Sequence, residues 1–244
     1  MAGTAVLGRL TWRVATVAEV RPETATARTL ALAVPGWPGH VAGQHVDVRV
    51  TAEDGYTAVR SYSLADAAED DRIEITVEQV EDGEVSPYLA EVIGVGDLVE
   101  VRGPVGGWFV WRPEQTEPVQ LVAGGSGIVP LMAMIRSRAV AGRAVPFRLL
   151  YSARRPESVI YRAELARPVG GLDITFAYTR QAPEGWRRPV GRVSAELVAQ
   201  ECWPAEFAPA CYVCGPTGFV ETVAELLLAA GHDPDAVRTE RFGG

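Results

Sequence analysis

The chain has 244 residues, 48% of them hydrophobic and 22% charged, which is enough apolar material for one large core or two ordinary ones and excludes wholesale disorder. A formal charge of −8 argues against nucleic acid or an anionic membrane as the main partner. Three cysteines (Cys202, Cys211 and Cys214) are too few for a disulfide scaffold and suit a reducing compartment.

The opening, MAGTAVLGRLTWRVATV, places Arg9 and Arg13 where a signal peptide needs an uninterrupted apolar stretch, and no apolar run reaches membrane-spanning length. A cytoplasmic protein is expected. Up to about residue 110 the pattern alternates with period two. LTWRVATVAEV, ARTLALAV, GQHVDVRV, AVRSYSLA, RIEITVEQV and DLVEVRG are short runs rich in Val, Ile, Thr and Tyr, separated by Pro-, Gly- or Asp-bearing segments. Six such strands with short connections predict an antiparallel barrel or sandwich. SPYLAEVI (86–93) breaks the alternation and reads as a short helix, with Ser86 as cap and Pro87 in the first helical position. The polar, proline-bearing WRPEQTEP (111–118) suits a linker, so domains of 1–113 and 114–244 are expected.

Beyond residue 118, continuous apolar strands alternate with helical segments. PVQLVAG, PFRLLYSA, LDITFAYT, CYVCG and AVRTERF alternate with PLMAMIRSRAVAG, YRAELA, SAELVAQE and TGFVETVAELLLAAG. Strands buried on both faces and joined by helical crossovers predict a doubly wound α/β domain of about five parallel strands.

Five segments are candidates for chemistry. AVRSYSLAD puts Arg60 and Tyr62 on one strand face, with Ser63 opposite unless the strand bends; this is a workable clamp for an aromatic ring with a phosphate tail, or an ordinary surface pair. EDGEVSPYLAEV (81–92) is a glycine turn into a helix that could take an anion, or a plain capped helix. LVAGGSGIVPLMAMI has Gly124, Gly125 and Gly127 between strand and helix, which lets backbone approach a phosphate, or simply makes a tight turn. It is not the G-x-G-x-x-G dinucleotide fingerprint. After the second α/β strand, Ser152, Arg154 and Arg155 favour a ribose 2′-phosphate over a free hydroxyl, unless they form a solvated basic loop. Finally, Cys211 and Cys214 lie three apart on a strand and so face opposite ways, which argues against a shared metal or a disulfide. Cys211 reads as a core residue and Cys214, at the strand's carboxyl end, as the functional one.

Taken in this order the motifs resemble the ferredoxin–NADP reductase family, an FAD-binding barrel followed by a nicotinamide-nucleotide domain. The resemblance covers nearly the whole chain. It implies that Arg60 holds the FAD pyrophosphate, Tyr62 stacks on the isoalloxazine and Ser63 bonds near flavin N5. Gly83-Glu84-Val85-Ser86 matches the second flavin-phosphate segment. Gly124, Gly125, Ser126 and Gly127 match the nucleotide pyrophosphate loop. Thr179-Arg180, Gly185-Trp186 and Gly191-Arg192 are also similar to family members. Cys214-Gly215-Pro216 matches the C-G-P motif, whose cysteine lies beside nicotinamide C4. Glu240 and Phe242 match the terminal Glu-x-aromatic, although Phe242 stands where plant-type enzymes have tyrosine and two glycines follow it.

The implied activity is hydride transfer from NADP(H) to FAD, then single electrons to a carrier such as ferredoxin or flavodoxin. Three cysteines cannot supply a fused [2Fe–2S] cluster, and no haem-binding globin segment precedes the barrel, so a separate acceptor is expected. Arg187, Arg188 and Arg192 are candidates for a basic docking face on an acidic monomer. Two alternatives are a reductase component of an oxygenase or of free flavin, and a flavin-bound module with no catalysis of its own.

Overall fold

The computed structural model describes residues 10–51, 55–66, 71–80 and 82–242. Residues 1–9 (with Arg9), 52–54, 67–70, Glu81 and 243–244 lie outside the described residues. Strands β1 (Trp12–Pro22), β2 (Ala27–Ala33), β3 (His45–Thr51), β4 (Thr57–Ser63), β5 (Arg72–Glu78) and β6 (Leu98–Val105) form an antiparallel sheet in the order β4-β3-β6-β1-β2-β5. A bridge between Leu64 and Ile75 brings its two edges together and closes the barrel. The period-two pattern does the sorting. On β3, Val46 and Val48 are fully buried, while His45, Asp47 and Arg49 face outward.

The second sheet is parallel, with β7 (Val119–Gly124), β8 (Phe147–Ala153), β9 (Leu172–Tyr178), β10 (Ala210–Pro216) and β11 (Val237–Phe242) in the order β11-β10-β7-β8-β9. The helices are α1 (Ile128–Val140), α2 (Arg162–Leu165), α3 (Ala195–Glu201) and α4 (Thr217–Ala229). Leu121, Leu149, Tyr212 and Cys214 pack on the α1 face of this sheet. Val122, Leu150, Cys211 and Val213 pack on the α4 face. The strand order reverses between β7 and β10, and the crevice at their carboxyl ends is where open α/β sheets receive ligands.

Two local expectations are corrected. Ser86 does not cap a helix; its hydroxyl accepts from the Val80 N–H at 3.1 Å, and the helix is one π turn, Tyr88–Val92, headed by Pro87. Trp111, at the head of the 111–118 segment, is fully buried edge-on to Phe147, with centroids 5.2 Å apart. Its backbone N–H donates to the Ala42 carbonyl of the barrel at 3.1 Å. A polar run of sequence thus begins with an apolar anchor, buried in the core beside α1 and bonded to the barrel backbone. Among the described residues no helix is long and apolar enough to cross a membrane.

Candidate functional site

The barrel contributes β4 and the loop after β5. Arg60 pairs in register with Val48, but its guanidinium reaches outward and donates to Glu84 Oε2 at 2.5 Å. Glu84 also accepts from the Tyr56 hydroxyl at 3.0 Å. The two segments that the sequence singles out for flavin phosphate therefore meet. Around Glu84, Val85 is buried in the barrel core, and a side chain on Gly83 would lie 2.7 Å from Ser86 Oγ. Tyr62 packs against the same core, and burial pushes its phenol up to about 12, so it stays neutral. Ser63, one residue on, turns to the other face, as the strand period requires.

That turn aims Ser63 at the second domain. Its Oγ donates to Glu240 Oε1 on β11 at 3.3 Å. Burial pushes the Glu240 carboxyl up to about 7, against the lowering effect of Ser63. Glu240 is the register partner of Cys214 across β10 and β11. Cys214 is fully buried; burial first, and the Glu240 charge second, hold its thiol well above the ordinary 9.0. It is a neutral thiol, suited to shape and contact rather than nucleophilic attack. Cys211 lies in the opposite core, its Sγ 3.7 Å from His232 Nδ1. Among the described residues no three His, Cys, Asp or Glu side chains converge as a metal site.

The glycine loop at 124–127 is packed rather than open. A methyl on Gly127 would lie 2.1 Å from the Cys214 carbonyl oxygen, and one on Gly124 would lie 2.7 Å from the Phe219 ring. Only Gly125, at φ +57°, faces free space, with Glu78 of the barrel the nearest group at 3.9 Å. Half-buried Ser126 follows it. The glycines thus serve close approach at two positions and a left-handed turn at the third. Gly215 makes the matching approach from β10, where a methyl would lie 2.8 Å from Phe219 and 3.1 Å from the Gly124 carbonyl. Phe242, in register with Pro216, packs against the α1-side core.

A cleft of about 560 Å³ opens beside this crevice, lined among others by Ser152, Arg154, Thr179, Arg180, Arg192 and Phe219. Backbone bonds from Thr179 to the Ala153 carbonyl and from Arg180 to the Arg154 carbonyl zip the two basic loops together. Arg155 stands outside this lining. Arg192, read from sequence both as a family-like Gly-Arg pair and as part of a docking face, lines the cleft. Arg188 is paired with Glu201 at 2.7 Å. No local signal could have moved Arg192 there; the loop between β9 and α3 brings it across.

Whether these residues fit a flavin is answered by Glu240. It is a half-buried carboxyl whose one hydrogen bond among the described residues is long, so it keeps acceptor capacity for a donor edge. On the same strand as Ser63, the exposed Arg60 offers a planar fork for phosphate. The residues present fit.

Comparison with known proteins agrees with both halves. A family model for an oxidoreductase FAD-binding domain matches residues 15–110, and one for an oxidoreductase NAD-binding domain matches residues 121–225. The glycine betaine monooxygenase reductase subunit of Chromohalobacter salexigens is 30% identical over 82% of this chain and 55% of its own length. The ferredoxin reductase component of the 3-ketosteroid-9-alpha-monooxygenase of Rhodococcus rhodochrous is 31% identical over 93% of this chain and 64% of its own. The chain therefore spans about half to two thirds of the curated relatives it matches. Among solved structures, the FAD/NAD-binding domain of nitric oxide dioxygenase from Vibrio cholerae superposes with a TM-score of 0.86 at 27% identity, covering 95% of this chain and 99% of that one. With a flavin half and a nucleotide half matched in sequence and in fold, the chain belongs to the ferredoxin–NADP reductase family of flavoprotein oxidoreductases.

Proposed function

We propose that this chain is an NADPH-dependent flavoprotein reductase that serves a separate electron acceptor, an oxygenase component or a small carrier such as ferredoxin or flavodoxin. The observation that carries the reading is the junction where Ser63 of the barrel bonds to Glu240 of the last strand, beside Cys214. FAD, when bound, supplies the exchange between two-electron and one-electron chemistry.

The chain's own residues supply the rest. Arg60 exchanges Glu84 for the FAD pyrophosphate, with the backbone of Gly83, Val85 and Ser86 beside it. Tyr62 offers a flat neutral ring. Ser63 and Glu240 hold a proton at the barrel's edge, which a carboxyl near pH 7 can give or take. Gly124, Gly125, Ser126 and Gly127 bring backbone N–H groups to the nucleotide pyrophosphate, and Cys214, Gly215 and Pro216 wall the nicotinamide site. Phe242, from its place on the core, edges the same space. Ser152, Arg154 and Arg180, joined by Arg192, line the cleft and take the 2′-phosphate, with Arg155 next to Arg154 in sequence as a further cation for it. Domain limits of 1–113 and 114–244, a cytoplasmic setting and a monomer complete the proposal; three unpaired, buried cysteines favour a reducing compartment.

The acceptor assignment draws on relatives described as reductase components of monooxygenases and of a dioxygenase. Anaerobic titration of the yellow protein with NADPH and NADH, read at the flavin absorbance, tests the activity. Bleaching by NADPH at lower concentration than by NADH is expected. A preference for NADH overturns the 2′-phosphate assignment, and a flavin that neither nucleotide bleaches overturns the reductase reading.

A further inference from the structure

On the side of the domain boundary away from β11, a polar cluster joins the two halves. Tyr161 leads α2 with φ +59°, a left-handed conformation that a bulky residue keeps only when its surroundings dictate it. They do so on three sides. Its hydroxyl shares a hydrogen bond with Thr76 of β5, and Thr76 is linked in turn to Thr29 of β2 at 2.8 Å. Its N–H donates to Glu23 Oε2 of the barrel at 3.2 Å. Its ring lies under the Arg136 guanidinium, 4.8 Å from centroid to carbon.

Arg136 belongs to α1, the helix that the glycine loop starts. It grips Glu164 with two hydrogen bonds, at 3.0 and 2.5 Å, and donates to the Ala65 carbonyl of the barrel at 2.6 Å. Glu74 of β5 lies 3.5 Å away. Every one of these buried or half-buried groups is used, which is the condition under which a polar network rigidifies a structure. Nearby, a methyl on Gly43 of the barrel would lie 2.9 Å from Met134 Cε, so α1 also rests directly on the barrel. None of these residues lines the nucleotide cleft or takes part in the Ser63–Glu240 contact.

We propose that Tyr161 and Arg136 are positioning residues that lock α1, and with it the nucleotide loop, in one fixed orientation on the flavin barrel. This rests on the reductase reading. The lock sets how the nucleotide surface meets the flavin surface, a relation in which an error of about 1 Å lowers a rate by up to about a hundredfold.

Three variants test it in the full-length, FAD-loaded chain: Tyr161→Phe, Thr76→Val and Arg136→Lys. Stopped-flow reduction by NADPH should slow on the order of tenfold, while the NADP⁺ dissociation constant and FAD content stay at wild-type values. The primary isotope effect with NADPH deuterated at C4 should rise toward its full value. Independently of the flavin, amide hydrogen exchange of the flavin-free variants should quicken at Tyr161 and along β5, with the β7 and β10 amides unchanged. Variants that are reduced at the wild-type rate, even with lowered melting points, overturn the lock; so does unchanged exchange at Tyr161. A wild-type protein that neither nucleotide reduces overturns the reductase reading, and the positioning role with it.

Discussion

On the barrel, Arg60 and Glu84 are about half exposed, at 53% and 49%, and are paired with each other; in the α/β domain, Gly127 and Cys214 are packed against one another with no space between them. Both regions are candidate ligand surfaces built from a strand end and a glycine turn. They differ in what a substitution would disturb. The barrel offers side chains that can be withdrawn without touching the core. The sheet offers backbone, and the glycines that expose it also hold α1 against β10. A change on the barrel side should therefore register as cofactor affinity, and one on the sheet side as folding.

The sharpest way to break that contrast is Gly127→Ala. A methyl 2.1 Å from the Cys214 carbonyl oxygen has only backbone to push, so a loss of at least about 3 kcal/mol in urea unfolding is expected, at the upper end of overpacking effects. An alanine protein as stable as wild type would mean that the loop is looser than the sheet around it.

Next comes Glu240, where the two regions touch. Its carboxyl is raised from 4.5 to about 7, so between those values the folded chain holds a proton that the unfolded chain has released. Stability conferred by this group is full below the lower value, falls as pH rises through the window, and is flat above it. The change is at most about 3 kcal/mol. Glu240→Gln should remove this component of the slope, which denaturant unfolding at about pH 5 and about pH 8 would reveal. An unchanged slope would place Glu240 in water.

The smallest effect on the fold belongs to Arg60→Ala. FAD affinity should weaken roughly ten- to a hundredfold as charged hydrogen bonds to phosphate are lost. The flavin-free chain should unfold within about 0.5 kcal/mol of wild type, because an exposed ion pair such as Arg60–Glu84 contributes little. Fluorescence titration with FAD and a parallel urea curve check both halves of the statement.

Much of this molecule is legible one segment at a time. Alternation in HVDVRV and continuity in PVQLVAG report which strands have one wet face and which have none, because the side-chain period is fixed by the backbone. The same period separates Cys211 from Cys214, and the structure places them in different cores. What escaped is what distant segments decide together. Glu84 sits in GEVS with no partner visible in the sequence until β4 brings Arg60 to it. Tyr161 sits in an unremarkable YRAEL, and its left-handed backbone follows from Thr76, Glu23 and Arg136 far away in the chain. Trp111 sits at the head of a polar run, yet Phe147 and the Ala42 carbonyl draw it inside.

The burial of all three thiols has a practical consequence. Cys202, Cys211 and Cys214 are at most 3% exposed, and burial pushes the first two up to about 12. A water-soluble alkylating reagent added to the native protein would label almost nothing until some part of the chain opens. Because Cys214 ends a strand at the crevice while Cys211 lies under α4, mass spectrometry of the alkylated peptide would date the two openings separately. The chain thus carries its own pair of clocks, one for the crevice and one for the helix layer behind it.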